Sequence, residues 1–308
     1  MPVIGLPTFM LAVTILGNNS ALQAFDRHPS SQVVTLNDHL FLVDCGEGTQ
    51  TQLSRYKIKR SRINNIFISH LHGDHYFGLM GLITSMGLLG REHALHVYAP
   101  SSLKEIIDLQ LNISGTTLPY PLHFHSLHEG AMVQTDNYEV RCFRAFHRIE
   151  CWAFIFREVK SPRRLDGDKL KQYDIPTIFY EQLRWGKDYQ SSDGRIIKNE
   201  LVTEPSSKGK SYAYVTDTLY EESIARNVKD VDLLYHEATY LNDLEEKAVK
   251  RFHCTTTQAA TIAKNAGAHR LLIGHFSSKY EKLDEFENET RRVFPNSDLA
   301  LEGVSYRV

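Results

Sequence analysis

Residues 67–78 read FISHLHGDHYFG. Three histidines and one aspartate, His70, His72, Asp74 and His75, follow an apolar run within six positions. Packing gains nothing from such a cluster, because imidazoles and carboxylates are costly to bury without partners. Metal coordination does gain, since imidazole nitrogen and carboxylate oxygen are the donors that suit zinc and similar borderline ions. Four donors this close can surround one or two ions only where the backbone turns sharply, and Gly73 permits that turn. The segment therefore predicts a strand ending at Ser69, a ligand-bearing turn, and an apolar helix over YFGLMGLITSMGLL.

Two ions need more donors than this turn offers. His147 in RAFHRIE, Asp217 in YAYVTDT and His275 in LLIGHFSS each close an apolar run. Each sits where a loop-borne site draws its ligands. Singly, a histidine or aspartate at a strand end is as readily a cap or turn residue; together with the first cluster they become candidate ligands. LHFHSLHEG offers His123, His125 and His128 at another metal-like spacing. No apolar helix follows it and no acidic ligand lies within it, so it reads as a partly exposed strand.

Strand-like runs recur along the chain, among them LAVTIL, SQVVTL, HLFLVDC, CWAFIFREV and VDLLYHEA, with helical patterns between them. TTTQAATIAKNAG is one such helix, with Gly267 as its stop. Strands crowd the first half and strand–helix units appear in both. That argues for an α+β fold in which two sheets are covered by outer helices, an αββα sandwich, rather than one parallel sheet. Residues 157–200 break the pattern. They alternate basic and aromatic residues with proline and glycine and hold no period, and are read as a projecting insertion within a single domain spanning 1–308.

Composition narrows the function classes. Of 308 residues, 42% are hydrophobic and 23% charged, which fits a globular chain and excludes a disordered one. The net charge is −2 and the pI about 6.7, so any polyanion must meet a local basic patch. Four scattered cysteines, Cys45, Cys142, Cys151 and Cys254, without a CxxC pair suit a reducing compartment and predict a cytoplasmic location. The apolar opening, MPVIGLPTFMLAVTILG, lacks a basic leader and cleavage site and is read as a buried strand, Phe9–Leu16. No later run is long enough to span a bilayer, and no membrane partner is expected.

The motifs VDCGEGTQTQL (43–53), FISHLHGDHYFGLMGLI (67–83), LPYPL (118–122), YVTDT (214–218), LYHEATY (234–240), HCTTTQAA (253–260) and GHFSSKY (274–280) together resemble the ribonuclease Z family of the metallo-β-lactamase superfamily. The resemblance spreads over nearly the whole chain. It implies a four-layer metallo-β-lactamase sandwich and two zinc ions per subunit. His70, His72 and His147 would hold one, Asp74, His75 and His275 the other, and Asp217 both. It further implies metal-hydroxide attack that removes the 3′ trailer from precursor tRNA, leaving a tRNA 3′-hydroxyl and a 5′-phosphorylated trailer. Asp74 would act as general base, and His253, oriented by Glu237, as the acid for the leaving oxygen. Asp44 and Glu47 would support the ligands from behind, and His236 would be structural. Ser277, Lys279 and Tyr280 would contact the RNA 3′ end, with lysine where the family carries arginine. The insertion, including Arg163, Arg164 and Lys169, would grip the tRNA far from the cut, and a homodimer would let one subunit's arm serve its partner's substrate. This arm lacks the family's Gly-Pro element after the IP step.

Two other readings remain open at this stage. One is a superfamily hydrolase of small phosphodiesters, thioesters or sulfate esters; the other is a metal-stabilised binding protein without turnover. The basic arm speaks against the first, and a cysteine-free set of seven candidate ligands against the second.

Overall fold

The computed structural model describes residues 11–159, 162–205 and 209–308; the expectation for Phe9 and residues 160 and 161 of the expected insertion lie outside them. In chain order, strands β1 (Leu11–Gly17), β2 (Ser31–Leu36), β3 (His39–Cys45), β4 (Ile63–Phe67), β5 (Leu95–Ala99) and β6 (Leu122–Ser126) form the first sheet. Strands β7 (Gly130–Gln134), β8 (Tyr138–Ala145), β9 (Cys151–Glu158), β10 (Ser211–Val215), β11 (Leu233–Glu237), β12 (Arg270–Gly274) and β13 (Ser297–Leu299) form the second. The chain then returns through β14 (Ser305–Arg307) to pair with β1.

Period-2 alternation divides each strand between two cores. Phe154 and Phe156 of β9 face the opposite sheet, while Ala153 and Ile155 face outward. Phe41 and Val43 of β3 likewise point between the sheets and Leu40 and Leu42 point out. The outer face of the first sheet is covered by α1 (Thr49–Arg55), α2 (Gly73–Tyr76), α3 (Leu79–Leu88) and α4 (Ser102–Ile113), through Leu53, Leu82, Met86 and Ile107 among others. Between β9 and β10 lie α5 (Gly167–Gln172), α6 (Tyr180–Arg184) and α7 (Asn199–Val202). The outer face of the second sheet is covered by α8 (Glu222–Asn227), α10 (Thr256–Ala266) and α11 (Asp284–Val293), with α9 (Glu245–Arg251) preceding α10. The layers run helix, sheet, sheet, helix, the αββα order expected. No helix among the described residues is long and apolar enough to cross a membrane. All four cysteines are buried and unbridged.

Two local differences from expectation have physical reasons. The strand before the histidines ends at Phe67 rather than Ser69, because Ser69 N–H turns to the Asp44 carboxylate instead of a neighbouring strand. The apolar helix splits into α2 and α3 because the backbone at Gly78 lies against β3's end: Gly78 N–H donates to Cys45 O at 2.9 Å, and a Cβ there would meet Gly46 O at 2.3 Å. The insertion, which shows no period in sequence, has packing of its own. It buries Leu170, Ile175, Leu183, Tyr189 and Val202 in a cluster of its own, and Arg164–Leu165 pairs with Thr203–Glu204 at its base.

Topology places the site. Strands β3 to β6 are mutually parallel, as are β10 to β13. Parallel strands end on one edge, so the loops leaving β4, β10, β11 and β12 gather where crevices form at carboxyl ends.

Candidate metal centre

The seven predicted ligands meet. His70 Nε2 lies 2.9 Å from His72 Nδ1, which lies 3.2 Å from His147 Nε2. Asp217 Oδ2 stands 3.5 Å from His70 Nε2 and 3.7 Å from His147 Nε2. On the other side, Asp217 Oδ1 is 3.3 Å from His75 Nε2 and 3.1 Å from His275 Nε2. Asp74 Oδ2 is 3.6 Å and 3.5 Å from the same two nitrogens. Asp217 thus offers a different oxygen to each group.

Those spacings can be tested against a metal ion. Four donors about 2.0–2.1 Å from a tetrahedral zinc are separated by about 3.3 Å, and the observed edges bracket that value. His75 Nε2 and His275 Nε2 are buried without a hydrogen-bond partner. A buried polar atom without a partner is rare, and one aimed at a carboxylate pocket calls for a cation. The residues fit the group. Burial and the neighbouring imidazoles hold His72 down at about 3 and His147, chiefly by burial, at about 4. Burial lowers His70 as well. Neutral imidazoles are what a metal requires; at His75 burial is outweighed by the charges of Asp74, Asp217 and Asp44, which raise the imidazole, so an ion there must displace a proton.

Three of the candidate ligand imidazoles, those of His75, His147 and His275, are held from behind by their other ring nitrogen. His75 Nδ1 donates to Asp44 Oδ2 at 2.7 Å, and the same oxygen accepts from Tyr214 OH at 2.6 Å and Ser69 Oγ at 2.9 Å. Asp44 Oδ1 accepts from Ser69 N–H at 2.7 Å. His147 Nδ1 reaches Phe252 O at 3.0 Å, and His275 Nδ1 reaches Thr239 Oγ1 at 2.9 Å. Such partners fix the tautomer that aims the remaining nitrogen. Asp44 and His275 carry φ of 56° and 60°, a left-handed conformation uncommon outside glycine and concentrated at functional sites.

Beside the candidate ligands, His253 and Glu237 are paired. Glu237, fully buried at the end of β11, accepts from His253 Nδ1 at 3.0 Å, Thr218 N–H at 2.9 Å and Thr239 Oγ1 at 2.6 Å. Burial pushes the His253 imidazolium down, but the charges of Glu237 and Asp217 more than offset it and raise it to about 9. Local structure positions His253: α9 ends on Phe252 at φ 61°, and Thr255 and Gln258 form a capping box that starts α10 just beyond it. Asp74 Oδ2 accepts from Ala21 N–H at 2.7 Å, with Ala21 at φ 67°. The loop carrying Ala21 is anchored by the Arg27 guanidinium, which reaches Asn19 Oδ1 at 3.1 Å, Glu281 O at 3.0 Å and Tyr280 O.

The centre opens into a cavity of about 430 Å³ lined by His72, Asp74, Asp217 and His253, together with Phe77 and Arg148. The sequence reading passed over these last two. Arg148 Nε lies 3.1 Å from His72 Nε2, and its place directly after the candidate ligand His147 was the available signal. Glu47 is exposed at the same cavity, whereas His236 is fully buried and bonded to Glu237 O.

The remaining sequence candidates lie apart from this cavity. Ser277 and Tyr280 are half-buried and Lys279 is exposed, its ammonium 5.1 Å from the Tyr280 ring centre. Arg163 is tied to Thr203 Oγ1 at 2.7 Å at the arm's base, whereas Arg164 and Lys169 face solvent. His123 and His125 sit on β6 beside His96 of β5, with His96 Nδ1 2.9 Å from His125 Nε2. Among the described residues, every group of three or more donors that converges closely enough for an ion belongs to the central site.

The family model for the anti-Pycsar protein Apyc1 matches residues 11–162. Ribonuclease Z of Bacteroides fragilis is 42% identical over 293 residues, covering 94% of this chain and 96% of that protein. Ribonuclease Z of Nostoc is 38% identical, covering 97% of this chain and 95% of its own. Among solved structures, the short form of human tRNase Z superposes with a TM-score of 0.67 at 26% identity, covering 96% and 98% of the two chains. YhfI of Bacillus subtilis, a metallo-β-lactamase fold protein, gives 0.69 at 19% identity over 97% and 100%, a likeness of fold.

Proposed function

The chain belongs to the ribonuclease Z family, and on that premise we propose that it is a two-zinc endoribonuclease that removes the 3′ trailer from precursor tRNA. The observation that carries the reading is Asp217 placed between two converging donor groups, with the His253–Glu237 pair beside them. A binding protein has no use for an open cavity at such a centre, because structural sites are closed.

His70, His72 and His147 would hold one ion, Asp74, His75 and His275 the other, and Asp217 would serve both. When bound, the ions supply an activated water and Lewis-acid stabilisation of charge on the phosphodiester oxygens. The side chains do the rest. The Asp74 carboxylate, fixed by Ala21 N–H, takes the proton from the attacking water as its oxygen bonds to phosphorus. The P–O3′ bond breaks, and His253, whose Nδ1–H is held by Glu237, gives the Nε2 proton to the departing 3′-oxygen. The products are a tRNA 3′-hydroxyl and a 5′-phosphorylated trailer. Arg148, in the same cavity, supplies positive charge where the phosphate enters.

A cavity of this size admits one nucleotide, not a duplex. The body of the tRNA must be held elsewhere, and the arm with Arg164 and Lys169 on its surface is suited to shape recognition of structured RNA. Ser277, Lys279 and Tyr280, on the loop after His275, are assigned to the RNA 3′ end. A homodimer with arms acting in trans, in the cytoplasm, completes the proposal. The test is incubation of purified, metal-quantified protein with end-labelled precursor tRNA. Cleavage directly 3′ of the discriminator or CCA-proximal nucleotide, lost in Asp74→Ala with tRNA binding retained, is the expected result; uncut precursor with two zinc ions bound refutes it.

A further inference from the structure

Phe77 caps α2 two residues after the ligand His75. Its neighbour Tyr76 turns into the outer core of the first sheet, but Phe77 is 67% exposed. Scattered exposed rings are ordinary on protein surfaces, so exposure alone says little. Two further features set this ring apart. First, of the described residues lining the cavity it contributes the one aromatic ring that is not an imidazole, beside His72, Asp74 and Arg148. Second, the backbone has been cleared for it. A Cβ on Gly73 would lie 2.3 Å from Phe77 Cε2 and 2.6 Å from Cζ, so the ring rests against the bare turn that carries the ligands. Gly73 therefore serves the ring's position as well as the turn.

An RNA strand reaching a cavity for a single nucleotide must arrive unpaired, with its bases unstacked at the cut. Base–aromatic stacking offsets that loss, and because every base has a π-face it does so without regard to sequence. An aliphatic contact lacks this geometry. We propose that Phe77 is a positioning residue on which the base of a nucleotide flanking the scissile phosphate stacks, ordering the strand for cleavage while Arg148 draws in its phosphate. This rests on the ribonuclease reading.

The experiment is a cycle between protein and RNA using the zinc-loaded enzyme. Wild type, Phe77→Ala, Phe77→Leu and Phe77→Tyr are each assayed on precursor tRNA that is intact or abasic at the nucleotide on either side of the cut. Zinc content is measured for every variant, so that a disturbed metal turn is detected directly. Phe77→Ala is expected to lower kcat/KM on intact RNA by about 5- to 160-fold, the worth of one base–ring stack. Phe77→Leu should fall with it, Phe77→Tyr should stay near wild type, and zinc content should be unchanged throughout. One abasic position should lower wild-type activity by a similar factor and leave Phe77→Ala no worse. Undiminished cleavage by Phe77→Leu, or losses that multiply across the cycle at both positions, overturns the assignment. Failure of wild type to cut intact precursor overturns the ribonuclease reading as well, which separates the two failures.

Discussion

Replacing Asp44 by asparagine changes one buried oxygen into an amide nitrogen, and the structure states what that does. Asparagine tolerates a left-handed backbone as readily as aspartate, so the φ of 56° adds no strain. If the NH2 group takes the Oδ1 position, it faces Ser69 N–H, now 2.7 Å from an oxygen. Two buried donors then oppose each other, at a cost of about 1–3 kcal/mol. If it takes the Oδ2 position, Ser69 and Tyr214 can rotate their hydroxyls to accept, but His75 must present a bare Nδ1. Its Nε2 then carries the hydrogen and cannot ligate. Metal-free protein escapes the donor clash in this second arrangement, where the two amide hydrogens serve two of the three groups that donate to Oδ2 in the wild type. Loading the site forces the donor clash back, which corresponds to about a 10–100-fold loss of metal affinity, the usual effect of removing an outer partner. The measurement is zinc occupancy in chelator-buffered solutions, with melting of metal-free protein alongside. The expected result is one zinc equivalent weakened about 10–100-fold, the other near normal, and a metal-free Tm within about 2 °C of wild type. Wild-type affinity for both equivalents refutes the argument.

Glu237→Gln removes the charge that orients His253 and should reduce kcat for precursor cleavage by about 10²–10⁴-fold; zinc content should hold, and equal turnover by the variant counts against His253 as the acid. Replacing residues 162–205 by a short glycine linker should preserve hydrolysis of bis(p-nitrophenyl) phosphate yet abolish cleavage of precursor tRNA, since Arg157 and Ser211 already face each other across β9 and β10; intact precursor cleavage removes the arm from recognition. Asp232 titrates low in the folded protein: burial opposes its charge, but donors from Lys210 Nζ and Ser211 prevail. A depressed carboxyl stabilises above its unfolded pKa of about 3.9 and loses that contribution as pH falls towards the folded value. Asp232→Asn should therefore flatten the fall of Tm between roughly pH 5 and pH 3 in metal-free protein.

The sequence carried the candidate ligands more fully than their surroundings. His70, His72, Asp74 and His75 announce themselves because local spacing alone puts four donors on one turn. His147, Asp217 and His275 were legible as strand-end residues, but their convergence depends on parallel strands ending together, which no single segment encodes. Thr239 and Tyr214, whose hydroxyls hold a ligand or its support, were silent, since a threonine after HEAT and a tyrosine in a strand look like ordinary packing. Phe77 was hidden inside an apolar run that reads as one helix; only the break at Gly78 turns it outward. The short strands β13 and β14, three residues each, fall below what alternation can reveal. The arm's small core was invisible for a similar reason: four of its residues are scattered over helices of four to six residues and a two-residue strand, and Ile175 lies on a connecting loop.

The arm leaves the second sheet and rejoins it at facing residues, with roughly fifty residues between Arg157 and Ser211. Closing so long a loop during folding costs about 2 kcal/mol more than closing a tight hairpin. An arm that has already collapsed brings its own ends together through the Arg164–Leu165 and Thr203–Glu204 pairing, and shortens the effective loop to its two connectors. The appendage then speeds the zippering of β9 with β10, so damage to its small core should appear first as slow refolding of the whole molecule.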